Sequence, residues 1–239
     1  MHRLILLSST YRQESLTRGS SAAVSVDPAN RLLWRQNPRR FEAEVLRDSI
    51  LASCGALSLR MAGPSVFPRL PKGLNAGRYK WKPTEDPAER NRRSIYLIHK
   101  RNLHLPFLKN FDLPDNHASC ARRLETTTPP QALTLLNSRW MIEKAQRFAS
   151  RLIEENGGNE TTVVDRAYGI AFSRAPTPAE RSASKDFLRE GKAAIRERLA
   201  NNEPVALPEL PEGLDPAFGA ALVDYCHALW NTNEFVYVD

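Results

Sequence analysis

Two proline-containing capping boxes constrain the second half of this 239-residue chain more than any other feature. Thr128-Pro129-Pro130-Gln131 offers a hydroxyl at the cap, proline at the first helical position and an amide three residues on, a combination that starts helices. Leu133, Leu136, Trp140, Phe148 and Leu152 follow at helical spacings, so one helix is predicted to run to about Glu155, stopped by Gly157-Gly158. A further helix is expected over about 162–173. Thr177-Pro178-Ala179-Glu180 repeats the box and opens a charged helix to about Ala200. After a proline-rich connector over 201–214, Asp215-Pro216 caps a last helix to about Trp230, with Ala220, Val223, His227 and Trp230 in a stripe. The apolar end, Phe235 to Val238, should tuck against the body. The expected class is mainly α, with a bundle of about four helices in the second half.

The first half is loop-rich and has at most a few short strands. A short apolar element, Leu4 to Leu7, leads into a polar loop from Ser15 to Ser25. Asp27-Pro28-Ala29-Asn30 then reads as a turn. Leu32-Leu33-Trp34 is expected to be buried. Asn37 with Pro38 reads as a helix start, and Phe41, Val45, Leu46 and Ile50 approximate one face of a helix over 38–53 that Gly55 ends. Residues 62–93 carry five prolines and, from Arg69 to Arg92, seven Lys/Arg, the pattern of a long exposed loop. Ser94-Ile95-Tyr96-Leu97-Ile98 is the best strand candidate, and Phe107 to Cys120 reads as loop again. Both halves can share one core, so 1–239 is taken as a single domain: a basic, loop-rich part over 1–110 and an acidic, helical part over 111–239.

Charge divides along the same line. Residues 1–110 hold 20 Lys/Arg against 8 Asp/Glu, a net +12, and residues 111–239 hold 14 against 19, a net −5. Because the arginines are interspersed with carboxylates and apolar residues, the basic half is expected to dock on an acidic neighbour and not on nucleic acid. No run approaches the roughly 18 apolar residues of a membrane helix, so no membrane span is expected. The start at Leu4 to Leu7 reads as an element already under way, which suggests a fragment of a longer parent. Cys54, Cys120 and Cys226 are far apart and form no Cys-x-x-Cys pair; three buried thiols are expected, with room for at most one disulfide and no zinc knuckle or haem attachment.

The sharpest polar cluster is Asn37-Pro38-Arg39-Arg40-x-Glu42-x-Glu44. Arg40 and Glu44 stand four apart, the spacing of a helical ion pair, while Arg39 and Arg40 together could hold a carboxylate or phosphate. The structural reading, a cap and an ion-pair network fixing this helix to the body, is preferred. Arg93, Lys100, Arg101, Asn102, Arg122 and Arg123 could form a basic pocket for a sulfated or acidic sugar, though a solvated basic face is the plainer reading. Asp112, Asp115, His117 and Cys120 lie within nine residues but match no established metal spacing, so no metal is expected. No Gly-x-Ser-x-Gly elbow is present, and no catalytic set is assigned. The candidate site is Arg39, Arg40, Glu42, Glu44, Arg101, Asp112 and Asp115.

Ordered blocks then carry a resemblance. Asn37-Pro38-Arg39-Arg40-Phe41-Glu42-Ala43-Glu44, Arg93-Ser94-Ile95-Tyr96, Phe111-Asp112-x-Pro114-Asp115, Gln131-Ala132-Leu133-x-Leu135-Leu136-Asn137-Ser138 and Leu229-Trp230-Asn231-Thr232-Asn233-Glu234-Phe235 are among them. Over essentially its whole length the chain resembles the planctomycete domain of unknown function fifteen fifty-three, the PSD-one domain. The resemblance implies an exported parent, periplasmic or at the cell surface, with an upstream companion domain and often a cytochrome c-like domain. Any haem would belong to such an upstream domain, and no cofactor is expected in this chain. Two functions follow as expectations: a structural or interaction module of a redox-associated multidomain protein, or a hydrolase or binding domain for acidic polysaccharide, with Arg39, Arg40, Arg101 and Asp112 converging on a cleft.

Overall fold

The computed structural model describes residues 1–15, 21–71, 73–74 and 81–238. Its elements are helices almost throughout: α1 (His2–Leu6), α2 (Ser21–Val26), α3 (Ala43–Ser53), α4 (Pro87–Arg90), α5 (Pro106–Asn110), α6 (Pro129–Asn137), α7 (Arg139–Asn156), α8 (Glu160–Phe172), α9 (Pro178–Ala200), α10 (Pro216–Trp230) and α11 (Asn233–Val236). The sheet among the described residues has two strands, β1 (Arg39–Arg40) and β2 (Tyr237–Val238), antiparallel, with Arg40 opposite Tyr237. The chain is mainly α, as its capping pattern predicts.

The bundle is α7, α8, α9 and α10. Thr177 caps α9 as expected: its hydroxyl accepts from the Glu180 amide at 3.3 Å, and the Glu180 carboxylate accepts from the Thr177 amide at 2.7 Å. Gly157 ends α7 at φ 61°, a left-handed conformation that favours glycine. Asp215 caps α10 by accepting from the Ala217 amide. α10 carries more than a stripe. Phe218, Leu222, Cys226 and Trp230 are buried along with Ala217, Ala221 and Tyr225, so the helix is enclosed on nearly every side, chiefly by α7 and α9. Phe148 of α7 stacks flat on Trp230, ring centres 5.4 Å apart. Burying each such ring contributes about 1.5–3 kcal/mol of transfer free energy. The chain end does tuck in: Phe235 and Val236 are buried, and β2 covers β1.

Several expectations in the first half need correction. No helix starts at Asn37. The Asn37 side chain accepts a bond from Asn30, residues 39–40 pair with the chain end, and α3 begins only at Ala43 with Glu42 at its cap position. Leu32 and Leu33 are exposed, at 77% and 54%, because the Asp27 carboxylate takes the Arg31 and Leu32 amides and turns the chain outwards there. The polar stretch ending at Ser25 contains α2; Leu16 to Ser20 lie outside the described residues. The strand expected at 94–98 is a tight 3-10 turn over Ser94–Tyr96. Asp48 of α3 explains it, since its carboxylate accepts both the Ser94 amide and the Ser94 hydroxyl, at 2.9 and 2.7 Å, and pulls the chain inward. Within the loop-like 107–120 stretch, α5 occupies the first residues. The single helix predicted from Thr128 is two. Ser138, extended at ψ 124°, ends α6 and begins α7, a position that serine tolerates better than a helix interior.

The proline-rich stretch 62–93 is not a freely exposed loop either. Val66, Trp81 and Arg92 are buried, and the Trp81 indole donates to the Pro68 carbonyl at 2.7 Å. Lys72 and residues 75–80, including Tyr79, fall outside the described residues. One buried apolar cluster includes Ala43, Leu46, Val66 and Leu97 from the first half together with Phe148, Leu188 and Trp230 from the second.

Candidate functional site

Arg40 leaves β1 pointing inward, and its guanidinium lies under α6. It donates to the Asp112 carboxylate at 2.6 Å, to Gln131 Oε1 at 2.6 Å and to the Thr126 carbonyl, and it stacks over the Phe111 ring. Asp112 adopts φ 60°, a left-handed conformation that aspartate tolerates. That turn lets the carboxylate also accept the Thr126 amide and hydroxyl, at 2.9 and 2.8 Å. Burial pushes the Asp112 carboxyl up, but the two Thr126 bonds and the Arg40 guanidinium outweigh it and hold it below its ordinary range. Both side chains are nearly enclosed, 7% and 15% exposed, so this pair ties β1, the loop after α5 and the start of α6 together with no open face for a ligand.

The helical ion pair expected between Arg40 and Glu44 does not form, because Arg40 stands on a strand and not on α3. Arg123 takes Glu44 instead, with two bonds of 2.8 and 3.1 Å, and reaches Glu42 at 3.2 Å. Burial raises the Glu44 carboxyl, yet the Arg123 bond and charge bring it to a net lowered value. Arg39 is exposed and makes long contacts to Glu42 and Glu125, 3.5 and 3.6 Å. Arg101 is exposed, and Asp115, also exposed, accepts the His117 amide in a local turn. The structure therefore brings Arg40 and Asp112 together, places Glu42 and Glu44 in an adjacent pair with Arg123, and leaves Arg101 and Asp115 outside both. Asn231, at the end of α10, donates to the His227 carbonyl at 2.8 Å.

The cysteines depart from expectation in one respect. Cys54 and Cys226 are buried and Cys120 is exposed; all three are free thiols. Burial pushes the Cys54 and Cys226 thiols up, the opposite of activation. Among the described residues no three His, Cys, Asp or Glu side chains are grouped as a metal would need.

Two arginines matter more than the sequence patterns indicated. Arg47 of α3 is buried and donates to the Arg90 and Arg92 carbonyls and to the Ser94 hydroxyl at 2.8–3.0 Å. Its guanidinium is pushed down to about 10 by burial, partly offset by Asp48. Arg92, fully buried, lies 3.8 Å from the Tyr96 ring centre and donates to the Arg60, Ala62 and Pro64 carbonyls. A signal for this existed. Five prolines in 62–93 supply carbonyls without amide donors, and an arginine with five donors is the side chain that can satisfy such an excess.

Beside Arg47 opens a cavity of about 580 Å³, walled by α4, α5, α6, α7 and the 68–71 segment. Phe107 and Trp140 form its aromatic wall, ring centres 5.4 Å apart. Lys144 of α7 is half-buried on the lining; its Nζ reaches Asn91 Oδ1 at a long 3.4 Å, and burial pushes its ammonium pKa down. None of the residues named from the sequence as candidates lines this space.

The class so defined is a mainly α chain whose prominent polar cluster is closed on itself by ion pairs, with a separate mixed cavity at the junction of its two halves. The chain belongs to the family PSD1, described as a protein of unknown function (DUF1553), whose model matches residues 1–188. The block from Leu229 onward, which also carried the resemblance, lies beyond that match. No curated protein and no solved structure matches the chain.

Proposed function

We propose that this chain is a non-catalytic interaction module of a larger, exported, redox-associated protein, and that its basic first half docks on an acidic companion domain. The observation that carries this reading is an uncovered apolar segment on the basic half. α1 has no buried residue, and Leu4, Leu6, Leu7, Tyr11, Leu32 and Leu33 are each half exposed or more. Clusters of exposed apolar residues of this kind mark interaction surfaces, and the net +12 of residues 1–110 selects an acidic partner. The closure of Arg40 on Asp112 supports the same reading, since the most buried of the candidate arginines is spent on holding the chain together. The exported, redox-linked setting rests on the family resemblance alone, which implies a parent in the periplasm or at the cell surface.

The reading against acidic polysaccharide as a substrate is equally specific: Arg40 and Asp112 meet, but as a buried pair. The test mixes residues 1–239 with the parent's companion domain in a sedimentation experiment. A complex weakened by salt and by Leu4→Glu with Leu7→Glu is expected. A stable monomer with no affinity for the companion overturns the proposal.

A further inference from the structure

The cavity behind α4–α7 has a mainly cationic lining. Arg47, Arg69, Arg90 and Lys144 face it against a single carboxylate, Glu143, which is engaged by Arg139 at 3.0 Å. Two of these cations have already spent donors on the fold. Arg47 holds the Arg90 and Arg92 carbonyls, and Arg90 holds those of Thr84 and Glu85. Lys144 is different. Its ammonium is half-buried, and among the described residues its one hydrogen bond is the long one to Asn91 and no carboxylate lies within ion-pair distance, Glu143 acting on it only from further off. A charge removed from water without a counter-charge is costly, so this site gains most from an anion. A neighbouring cleft of about 640 Å³ offers a contrast: there Arg147 and Arg151 face three carboxylates, Glu143, Glu154 and Glu209, so acidic groups outnumber the cations.

Part of the remaining wall is aromatic and apolar, beside the polar side chains of Asn110, Thr134 and Asn137. Phe107 and Trp140 present ring surfaces, Pro106, Pro130 and Leu133 extend them, and Leu133 is 54% exposed although it stands at a core spacing on α6. Space of this volume and mixed character is usual for small-ligand sites. We propose that the cavity binds a small organic anion, a carboxylate or sulfonate on a flat aromatic body, with Lys144 as counter-charge and Trp140 and Phe107 as the stacking wall. The site is independent of the docking surface on the first half, and neither proposal needs the other.

The test titrates the full chain with 2-naphthoate and with its neutral counterpart 2-naphthamide, read by tryptophan fluorescence and calorimetry. Naphthoate should bind saturably and about tenfold or more tighter than the amide, the discrimination of a charged hydrogen bond. Lys144→Met should abolish that preference, and Trp140→Leu should weaken both ligands. Lys144→Met removes a half-buried charge, so its Tm should hold or rise, which separates lost binding from lost folding. Lys82→Met, an exposed site away from the cavity, should change nothing. Equal affinity for acid and amide, an unchanged Lys144→Met, inorganic sulfate binding as tightly as naphthoate, or no saturation by about 10 mM each overturn the proposal.

Discussion

The two halves of this molecule solve the same problem with different materials. In the bundle of α7 to α10, backbone groups are paired within helices, and side chains have only to fill space, as Phe148 and Trp230 do face to face. In the 58–98 region few backbone groups have helical or sheet partners, and buried arginines supply donors in their place: Arg47 to the Arg90 and Arg92 carbonyls, Arg92 to those of Arg60, Ala62 and Pro64. Backbone carbonyls without a helical or sheet partner must be satisfied in some other way. The first half therefore depends on a few directional bonds, and the second on distributed packing.

Substitutions should separate the two. The largest effect is expected from Phe148→Ala, which opens a void against Trp230 at the centre of the shared core and should cost about 3–5 kcal/mol. Thermal unfolding should show both halves lost together. If the first half melts separately, the two do not share a core.

Asp112→Asn comes next. It leaves the Arg40 guanidinium buried with only neutral partners, Gln131 Oε1 and the Thr126 carbonyl, and should cost about 3 kcal/mol. A double-mutant cycle with Arg40→Met should recover part of that loss, because the stranded charge is gone. Additive effects would show that the pair is not coupled. Arg92→Met should cost less, about 1–3 kcal/mol, since the freed carbonyls of residues 60–64 lie near water. Its mark is regional: hydrogen exchange should quicken over 58–98 and stay slow in α7 and α10. Uniform quickening would contradict the arginine-held description of the first half.

The same contrast decides what was legible in the sequence. Helix starts in the bundle are local events, written in four residues each, so Thr177-Pro178-Ala179-Glu180 and Asp215-Pro216 were readable to the residue. The break at Ser138 was not, because the apolar spacing continues across it while only the backbone turns. Ser94 to Ile98 has β-rich composition, but a carboxylate 46 residues earlier, Asp48, decides its conformation. Asn37-Pro38 has the chemistry of a helix start, overridden by pairing with residues 237–238 at the other end of the chain. The candidate site fared likewise. Arg40 and Asp112, both singled out, do pair, yet the partner of Glu44 is Arg123, 79 residues away, and the cavity beside Lys144 assembles from five separate segments that no spacing connects.

One ion-pair system lies wholly on the bundle side and carries the smallest prediction. Arg174 bridges Glu180 of α9 and Glu234 of α11, with bonds of 2.6–2.8 Å to each. The Arg174 bond, with the Thr177 amide behind it, pulls the Glu180 carboxyl from its ordinary 4.5 down to about 2. A carboxyl with a depressed folded value stabilises the fold fully above 4.5, and that contribution is lost as pH falls towards 2. Because Arg174 and Glu180 are each about a third exposed, solvent screens the pair, and Glu180→Gln should cost only about 1 kcal/mol at neutral pH, capping bond included. The wild-type chain should lose more stability than the Gln variant between pH 4.5 and 2, and their Tm curves should converge at the acid end. Parallel curves across that window would mean that the charge on Glu180 contributes nothing that the neutral Gln side chain does not also supply.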